Sequence, residues 1–289
     1  MKFDLSIRIA LAVLLVLFGG IMQSNAKPRF KAVAFDYFVI FDANSVIPEV
    51  EKVFPGKGVE FTKAWRSKQF EYGFLRSITD RHEDFFRVTS EALEYTAEMM
   101  KLNLTLEDRQ RLLNAYLTLK PWPDTVAALK KLKAAGIRII TIANFSEKML
   151  RANADNAGIT DLFDELLSTE VNKTYKPDPR AYELGMKHLH LKKEEIAFAA
   201  FGGWDAYGAK NFGYATYWVN RFGLPTEKLG VSADETSGDM NGLLEFVLGK
   251  DEDASLEKTP DRQPAIPRHA TFVTSFPALA SVEKSSSVF

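Results

Sequence analysis

From Pro121 to Leu248 the chain alternates short apolar, often β-branched runs with segments of helical length, and this alternation limits the fold more than any other feature. Asp124 stands where it could cap a helix through Leu129 and Leu132, with Gly136 just past its end. Ile137 through Ile142 reads as a strand, Glu147 to Ala157 as a helix, and Leu166-Leu167 marks another short apolar stretch. Pro179 to His188 is predicted helical, Ile196 to Ala200 a strand, and Trp204 to Phe212 a helix. Ala215 to Val219 follows as a strand and Met240 to Leu248 as a last helix. Ahead of all these, Phe30 to Phe35 reads as a short buried strand ending at Asp36. Strands joined by helical crossovers make a parallel sheet covered on both faces, so the expected class is α/β.

The stretch from Val46 to Lys120 differs in texture. It carries long helical patterns, Phe61 through Ser77 and Glu83 through Leu102, with few turn signals until Pro121-Trp122-Pro123. Such an insert after the first strand would lie over the sheet as a helical cap domain (46–120), leaving residues 27–45 and 121–249 as the core domain. The first 26 residues stand apart. Lys2 and Arg8 precede an apolar run from Ile9 to Met22, and Ser24-Asn25-Ala26 supplies the small residues of a secretory cleavage site. The run is about 14 residues, short of the ~20 that cross a bilayer. Residues 1–26 therefore read as a signal peptide and the protein as exported, periplasmic or secreted, with no membrane association after cleavage. An uncleaved N-terminal anchor is the alternative. Past Gly249, Lys250-Asp251-Glu252-Asp253, Pro264, Pro267 and a Ser-rich end predict a disordered tail over 250–289.

Charge and composition exclude several functions. Lys+Arg is 37 against Asp+Glu 38 with no long basic block, so no nucleic-acid surface is expected. There are no cysteines, which removes thiol nucleophiles and Cys-ligated metals. The histidines are His82, His188, His190 and His269, and the two that are close in sequence fall on different sides of a helix. No metal site and no organic cofactor are expected.

Open α/β sheets bind ligands at the carboxyl ends of their strands. That rule selects Asp36 after the first strand, Ala143-Asn144 after the second, Lys176-Pro177-Asp178 before the Pro179 helix, and Phe201-Gly202-Gly203-Trp204-Asp205 after Ala200. Two carboxylates, a lysine and an amide would converge on one rim. A carboxylate beside a lysine stays ionised. It can attack an electrophile and form a covalent intermediate, and a second carboxylate can deprotonate the water that cleaves it.

Phe35-Asp36 followed by Ile40-Phe41-Asp42 resembles the opening motif of the type II L-2-haloacid dehalogenases of the haloacid dehalogenase (HAD) superfamily. Trp65-Arg66-Ser67-Lys68-Gln69-Phe70-Glu71-Tyr72 is similar to that family's cap-helix motif, and Tyr175-Lys176-Pro177-Asp178-Pro179-Arg180-Ala181-Tyr182 to its lysine motif. Trp204-Asp205-Ala206 with Gly208-Ala209 resembles its last motif. The resemblance spans residues 30–248 and implies a Rossmann-like core with a cap inserted after the first strand. It further implies hydrolysis of a small 2-halo carboxylic acid without a cofactor, and a homodimer. In it, Asp36 is the nucleophile that displaces halide with inversion, and Arg66, aided by Asn144, meets the halide. Lys176, with Tyr182 alongside, holds Asp36 ionised, and Asp205 activates the hydrolytic water. Trp204, Phe38 and Tyr37 are candidates for an apolar wall, with plain core packing as the alternative.

This chain departs from the family pattern at four positions: Ile40 for a threonine, Ala143 and Ala200 for serines, and Gly202 for an asparagine. Losing those hydrogen bonds, at about 0.5–1.5 kcal/mol each, would weaken activity or shift the substrate. An inactive relative that binds a small carboxylate is therefore a second reading. A Mg-dependent HAD phosphatase is a third. Against it, Phe38 stands where such enzymes carry a second Asp, Ala143 where they carry a hydroxyl, and no extra Asp follows Ala200.

Overall fold

The computed structural model describes residues 28–249; the expected signal peptide (1–26) and tail (250–289) lie outside the described residues. β1 (Ala32–Phe35) is buried at every position, as a strand flanked on both sides and covered on both faces must be. A one-turn helix α1 (Tyr37–Ile40) and a short strand β2 (Phe41–Asp42) lead out of the sheet. Four helices follow: α2 (Ile47–Val53), α3 (Gly58–Ile78), α4 (Phe85–Met99) and α5 (Leu106–Ala115). Asp84 and Thr105 start α4 and α5 by accepting main-chain N–H groups of the first turn. The chain returns through β3 (Lys120–Pro121), antiparallel to β2.

Then come α6 (Thr125–Ala134), β4 (Arg138–Ala143), α7 (Glu147–Asn156), β5 (Glu165–Ser168) and α8 (Pro179–Leu189). β6 (Ile196–Ala200), α9 (Gly203–Phe212), β7 (Ala215–Val219), β8 (Glu235–Ser237) and α10 (Met240–Leu248) complete the described chain. The sheet order is β5-β4-β1-β6-β7-β8, and every pairing is parallel. The α/β class with a parallel sheet and a helical insert after the first strand is thus what the chain adopts. Among the described residues no helix is long and apolar enough to cross a membrane.

The two-residue period of the strands sorts the core onto two faces. Val33 and Phe35 of β1 join Ile139, Tyr217, Leu129, Leu132 and Leu243 on one face, and that cluster continues into the insert through Trp65, Val88 and Leu93. Ala32 and Ala34 face the other way, with Ile140, Ile142, Phe198 and the α8–α9 residues Tyr182, Leu184, Ala206 and Ala209. Burying this apolar surface, at roughly 25 cal/mol per Å², is the main favourable term in folding.

Two expectations need correction. Asp124 does not cap α6 with its side chain; both its oxygens are taken by Arg221, at 2.9 and 3.0 Å, and one also accepts Met240 N–H at 2.9 Å. A bidentate, charge-assisted pair is stronger than a single cap bond. Strand β8 was not anticipated, because Glu235-Thr236-Ser237 is a polar edge strand with no apolar alternation.

Asn153, fully buried on α7, fastens the chain where it returns from the insert. Its Oδ1 accepts Leu119 N–H at 2.7 Å, and its Nδ2 donates to Tyr116 O and Met149 O at 2.9 Å. Asn153→Ala leaves buried main-chain groups unpaired and is expected to cost about 2–4 kcal/mol, lowering Tm by roughly 5–15 °C in a circular-dichroism melt. A shift below about 2 °C would contradict this role.

Candidate active site

The parallel register aligns the strand ends that the functional residues follow. Phe35 lies opposite Thr141 of β4 and Ala199 of β6, so Asp36, Asn144 and the loop after Ala200 emerge on one edge. Asp36 N–H still donates to Ala199 O at 2.9 Å, which pins the residue to the sheet. Its Oδ1 accepts Phe38 N–H at 2.8 Å as the cap of α1, and its Oδ2 accepts from Lys176 Nζ at 2.6 Å.

Lys176 is fully buried and bridges two carboxylates, with Nζ 2.6 Å from Asp36 and 2.7 Å from Asp205. Its ammonium also stands 5.3 Å from the centre of the Phe198 ring. Burial alone would pull Lys176 down; the charges of Asp205 and Asp36 outweigh it, and the net shift is upward. The Lys176 backbone is held by Asn144, whose Oδ1 accepts Lys176 N–H at 2.8 Å and whose Nδ2 lies 3.5 Å from Lys176 O. Asn144 therefore reaches the expected rim with its amide turned to the lysine loop. On the other side Tyr175 N–H donates to Ser77 Oγ at 3.0 Å and the Tyr175 hydroxyl donates to Glu83 O, tying that loop to the insert.

Asp205, in the first turn of α9, is fully buried. Burial pushes its carboxyl up to about 7, against the lowering pull of Lys176, while the nearby Asp36 charge adds to the rise. The Tyr182 hydroxyl donates to Asp205 Oδ1 at 2.7 Å and favours the ionised form. Gly208 makes this contact feasible. A Cβ there would sit 2.4 Å from Tyr182 Oη and 2.8 Å from Pro177 Cβ, so any larger residue would drive α9 away from α8.

Arg66 comes from α3 in the insert and stacks against the core. Its guanidinium carbon is 4.8 Å from the Phe38 ring centre and 5.6 Å from that of Phe201. Among the described residues it makes no hydrogen bond or ion pair. Burial pulls its pKa down while Tyr116, Asp42 and Asp36 act the other way, and the group stays charged. Its sequence neighbours serve as anchors: Trp65 Nε1 donates to Thr89 O at 2.8 Å, and Gln69 links Thr89 to the Tyr116 hydroxyl.

Phe38 and Trp204 line the rim, but Tyr37 does not. The Tyr37 hydroxyl donates to Leu150 O at 2.6 Å and its ring packs on Phe41 and Phe145, because successive residues of a one-turn helix point to different sides. The Trp204 indole packs edge-on against Phe70 and Phe74 of α3. It lies over Gly202, where a Cβ would be 2.6 Å from Trp204 Nε1. Gly202 has φ −89, a conformation open to any residue, so what requires a glycine there is room for the indole. Phe201 stands on the expected rim and Gly208 in the expected last motif without a role of their own, and Phe198 has no expected part beyond its strand. Their signals were slight: a position one past a strand end, a buried aromatic, and a small residue on a helix face.

The arrangement is one carboxylate at the rim, a second fully buried carboxylate, a lysine between them, and an unpaired guanidinium nearby, a set that can supply a nucleophile and a base. Among the described residues no group of three or more His, Asp or Glu side chains could hold a metal ion. Lys176 Nζ fills the point between the two carboxylates where a cation would sit.

Residues 30–213 match the family model of the haloacid dehalogenase-like hydrolases. Over 217 residues the chain is 38% identical to an (S)-2-haloacid dehalogenase of Pseudomonas sp. (strain YL), covering 75% of this chain and 94% of that protein. It is 36% identical to haloacetate dehalogenase H-2 of Moraxella sp. (strain B), over 76% of this chain and 98% of that one. The structure of L-2-haloacid dehalogenase from Xanthobacter autotrophicus with chloropropionic acid covalently bound superposes with a TM-score of 0.71 at 32% identity, covering 75% of this chain and 98% of that chain.

Two outcomes follow from the geometry. Tyr182→Phe removes a donor to ionised Asp205, so the Asp205 carboxyl midpoint, read by carbon NMR titration, should rise from its starting value of about 7. An unchanged or lower midpoint would contradict the assigned contact. Restoring a side chain with Gly202→Asn should displace Trp204 from Phe70 and Phe74, seen as a red-shifted, more quenchable tryptophan emission. An unaltered spectrum would show that the loop accommodates the amide.

Proposed function

The chain belongs to the haloacid dehalogenase-like hydrolase family, and from that footing we propose that it hydrolyses small L-2-halo carboxylic acids through an ester on Asp36. The observation that carries this reading is Lys176 bridging Asp36 and Asp205 at 2.6 and 2.7 Å beneath an Arg66 that has no acceptor of its own.

A carboxylate oxygen of Asp36 attacks C2 of the substrate from the face opposite the halogen. The carbon–halogen bond breaks, the halide leaves with the bonding pair toward the N–H edge of Arg66, and C2 inverts. The substrate carboxylate is received by main-chain N–H groups of Asn144 and Phe145, ahead of α7, where oriented amides favour an anion. Water then attacks the ester carbonyl carbon and gives its proton to Asp205. The tetrahedral adduct collapses and its carbon–alkoxide oxygen bond breaks. The alkoxide takes the proton back from Asp205 and leaves as the 2-hydroxy acid. The Asp36 carboxylate is restored with release of the remaining proton of the water to solvent. An Asp205 carboxyl near 7 suits a general base at neutral pH, since it accepts a proton readily while still being partly ionised. Lys176 stays charged throughout and steadies each carboxylate as it becomes anionic.

One set of observations favours a second reading. Ile40, Ala143, Ala200 and Gly202 offer no side-chain polar group, and the Trp204 indole lies over Gly202. A site so depleted could hold a small carboxylate without turning it over.

Independence of metal is part of the proposal, supported by an ammonium between the carboxylates. Export rests on the sequence of the first 26 residues alone. Pairing of two copies is supported by the outer face of the insert, where Leu75 and Ile78 are 50% and 82% exposed beside Tyr72 and Tyr95.

The test is halide release from each enantiomer of 2-chloro- and 2-bromopropionate with chelator present. Release is expected from the S form alone, and Asp36→Asn should lower it by about a thousandfold or more. No release from either form, or release indifferent to the substitution, would sink the mechanism and leave the binding-protein reading.

A further inference from the structure

Arg66 is held in a way that leaves its hydrogen-bonding edge unused. A carboxylate partner would occupy the guanidinium N–H groups; aromatic faces attract the cation through the ring plane and leave those N–H groups free. The two faces are Phe38, after β1, and Phe201, after β6, with ring centres 6.0 Å apart. Each is fixed by a tryptophan: Trp122 Nε1 donates to Phe38 O and Trp218 Nε1 to Phe201 O, both at 2.9 Å. The Phe201 ring is braced by Trp122 at 6.4 Å and Phe222 at 5.8 Å. Trp122 in turn carries Arg221, whose guanidinium carbon is 4.7 Å from its ring centre and whose fork holds Asp124. Arg66 is thus gripped by a rigid aromatic clamp belonging to the core, although it is borne by the insert.

We propose that Phe201 is a positioning residue for Arg66: with Phe38 it seats the guanidinium by its faces, so that the free N–H edge forms the anion site for the departing halide. The clamp also makes that site conditional on the insert meeting the core, since the cation comes from one and both rings from the other. The leaving-group part of this inference rests on the dehalogenation reading; the anion-site part does not.

The full chain, Phe201→Leu and Phe201→Tyr are compared in bromide titrations followed by tryptophan fluorescence, and in kcat/KM for 2-chloro- and 2-bromopropionate. Phe201→Leu is expected to weaken bromide binding about tenfold. It should also lower kcat/KM more for the chloro than for the bromo substrate, because the poorer leaving group leans harder on Arg66. Phe201→Tyr keeps a ring face and should stay within about twofold of the parent. In an Arg66→Met background, Phe201→Leu should have no further effect on bromide affinity, which a merely structural role would not produce; Phe201→Met replaces the leucine variant if that one fails to fold. Unchanged bromide affinity in Phe201→Leu, or an equal loss on both substrates, would overturn the assignment. A parent chain that releases no halide would refute the dehalogenase reading instead, and the bromide titrations would still decide the role of Phe201.

Discussion

The site depends on one buried ammonium. Lys176 stands between Asp36 and Asp205 with no access to solvent, and each contact is shorter than 2.8 Å. Two carboxylates this close could not both be ionised in a low-dielectric interior without a cation between them. Removing one partner of a buried ion pair costs about 3–5 kcal/mol, because the remaining charge is left uncompensated. The surrounding structure is arranged to keep that ammonium in place. Asn144 holds its backbone, Ser77 and Glu83 hold the adjoining Tyr175, and the close approach of α8 and α9 at Gly208 brings Tyr182 onto Asp205.

The same cation gives the two carboxylates different work. Asp36 sits at the rim with a little surface exposed, fixed by Phe38 N–H and by Lys176. Asp205 lies fully inside, where burial raises it to about 7. The proposed mechanism uses one carboxylate to attack and the other to accept a proton, a division that rests on environment in residues of identical chemistry. Arg66 completes the set from the insert, held by ring faces and not by an acid. In the proposed mechanism its charge is therefore available to a halide.

Much of this was legible in the residues. Burial on both faces makes β1 and β6 apolar throughout and β4 apolar but for Arg138 and Thr141, so their ends were easy to find, and the strand-end rule then gathered Asp36, Asn144, Lys176 and Asp205 on one rim. What stayed hidden was long-range or directional. Asp124 looks like a helix cap, but its partner Arg221 lies 97 residues away. Asn144 reaches the rim as expected, but that its amide also holds the Lys176 backbone is something no local pattern reveals. Tyr37 and Phe38 are equivalent aromatics in sequence, and only the path of a one-turn helix sends one inward to Leu150 and the other to the rim. Gly202 stands where the family pattern has an asparagine, and nothing local shows that the Trp204 indole lies above it. The polar edge strand β8 carries no period that would mark it.

The central claim is that an Asp36 oxygen, and not water, displaces the halogen. A single turnover with enzyme in excess over S-2-chloropropionate in ¹⁸O-water tests it directly, with the Asp36 peptide and the product both weighed by mass spectrometry. Attack by Asp36 followed by hydrolysis at the ester carbonyl predicts ¹⁸O in the Asp36 carboxylate and none in the first 2-hydroxy acid released. Label in the product with an unlabelled Asp36 would mean that water attacks C2 itself, and would contradict the account.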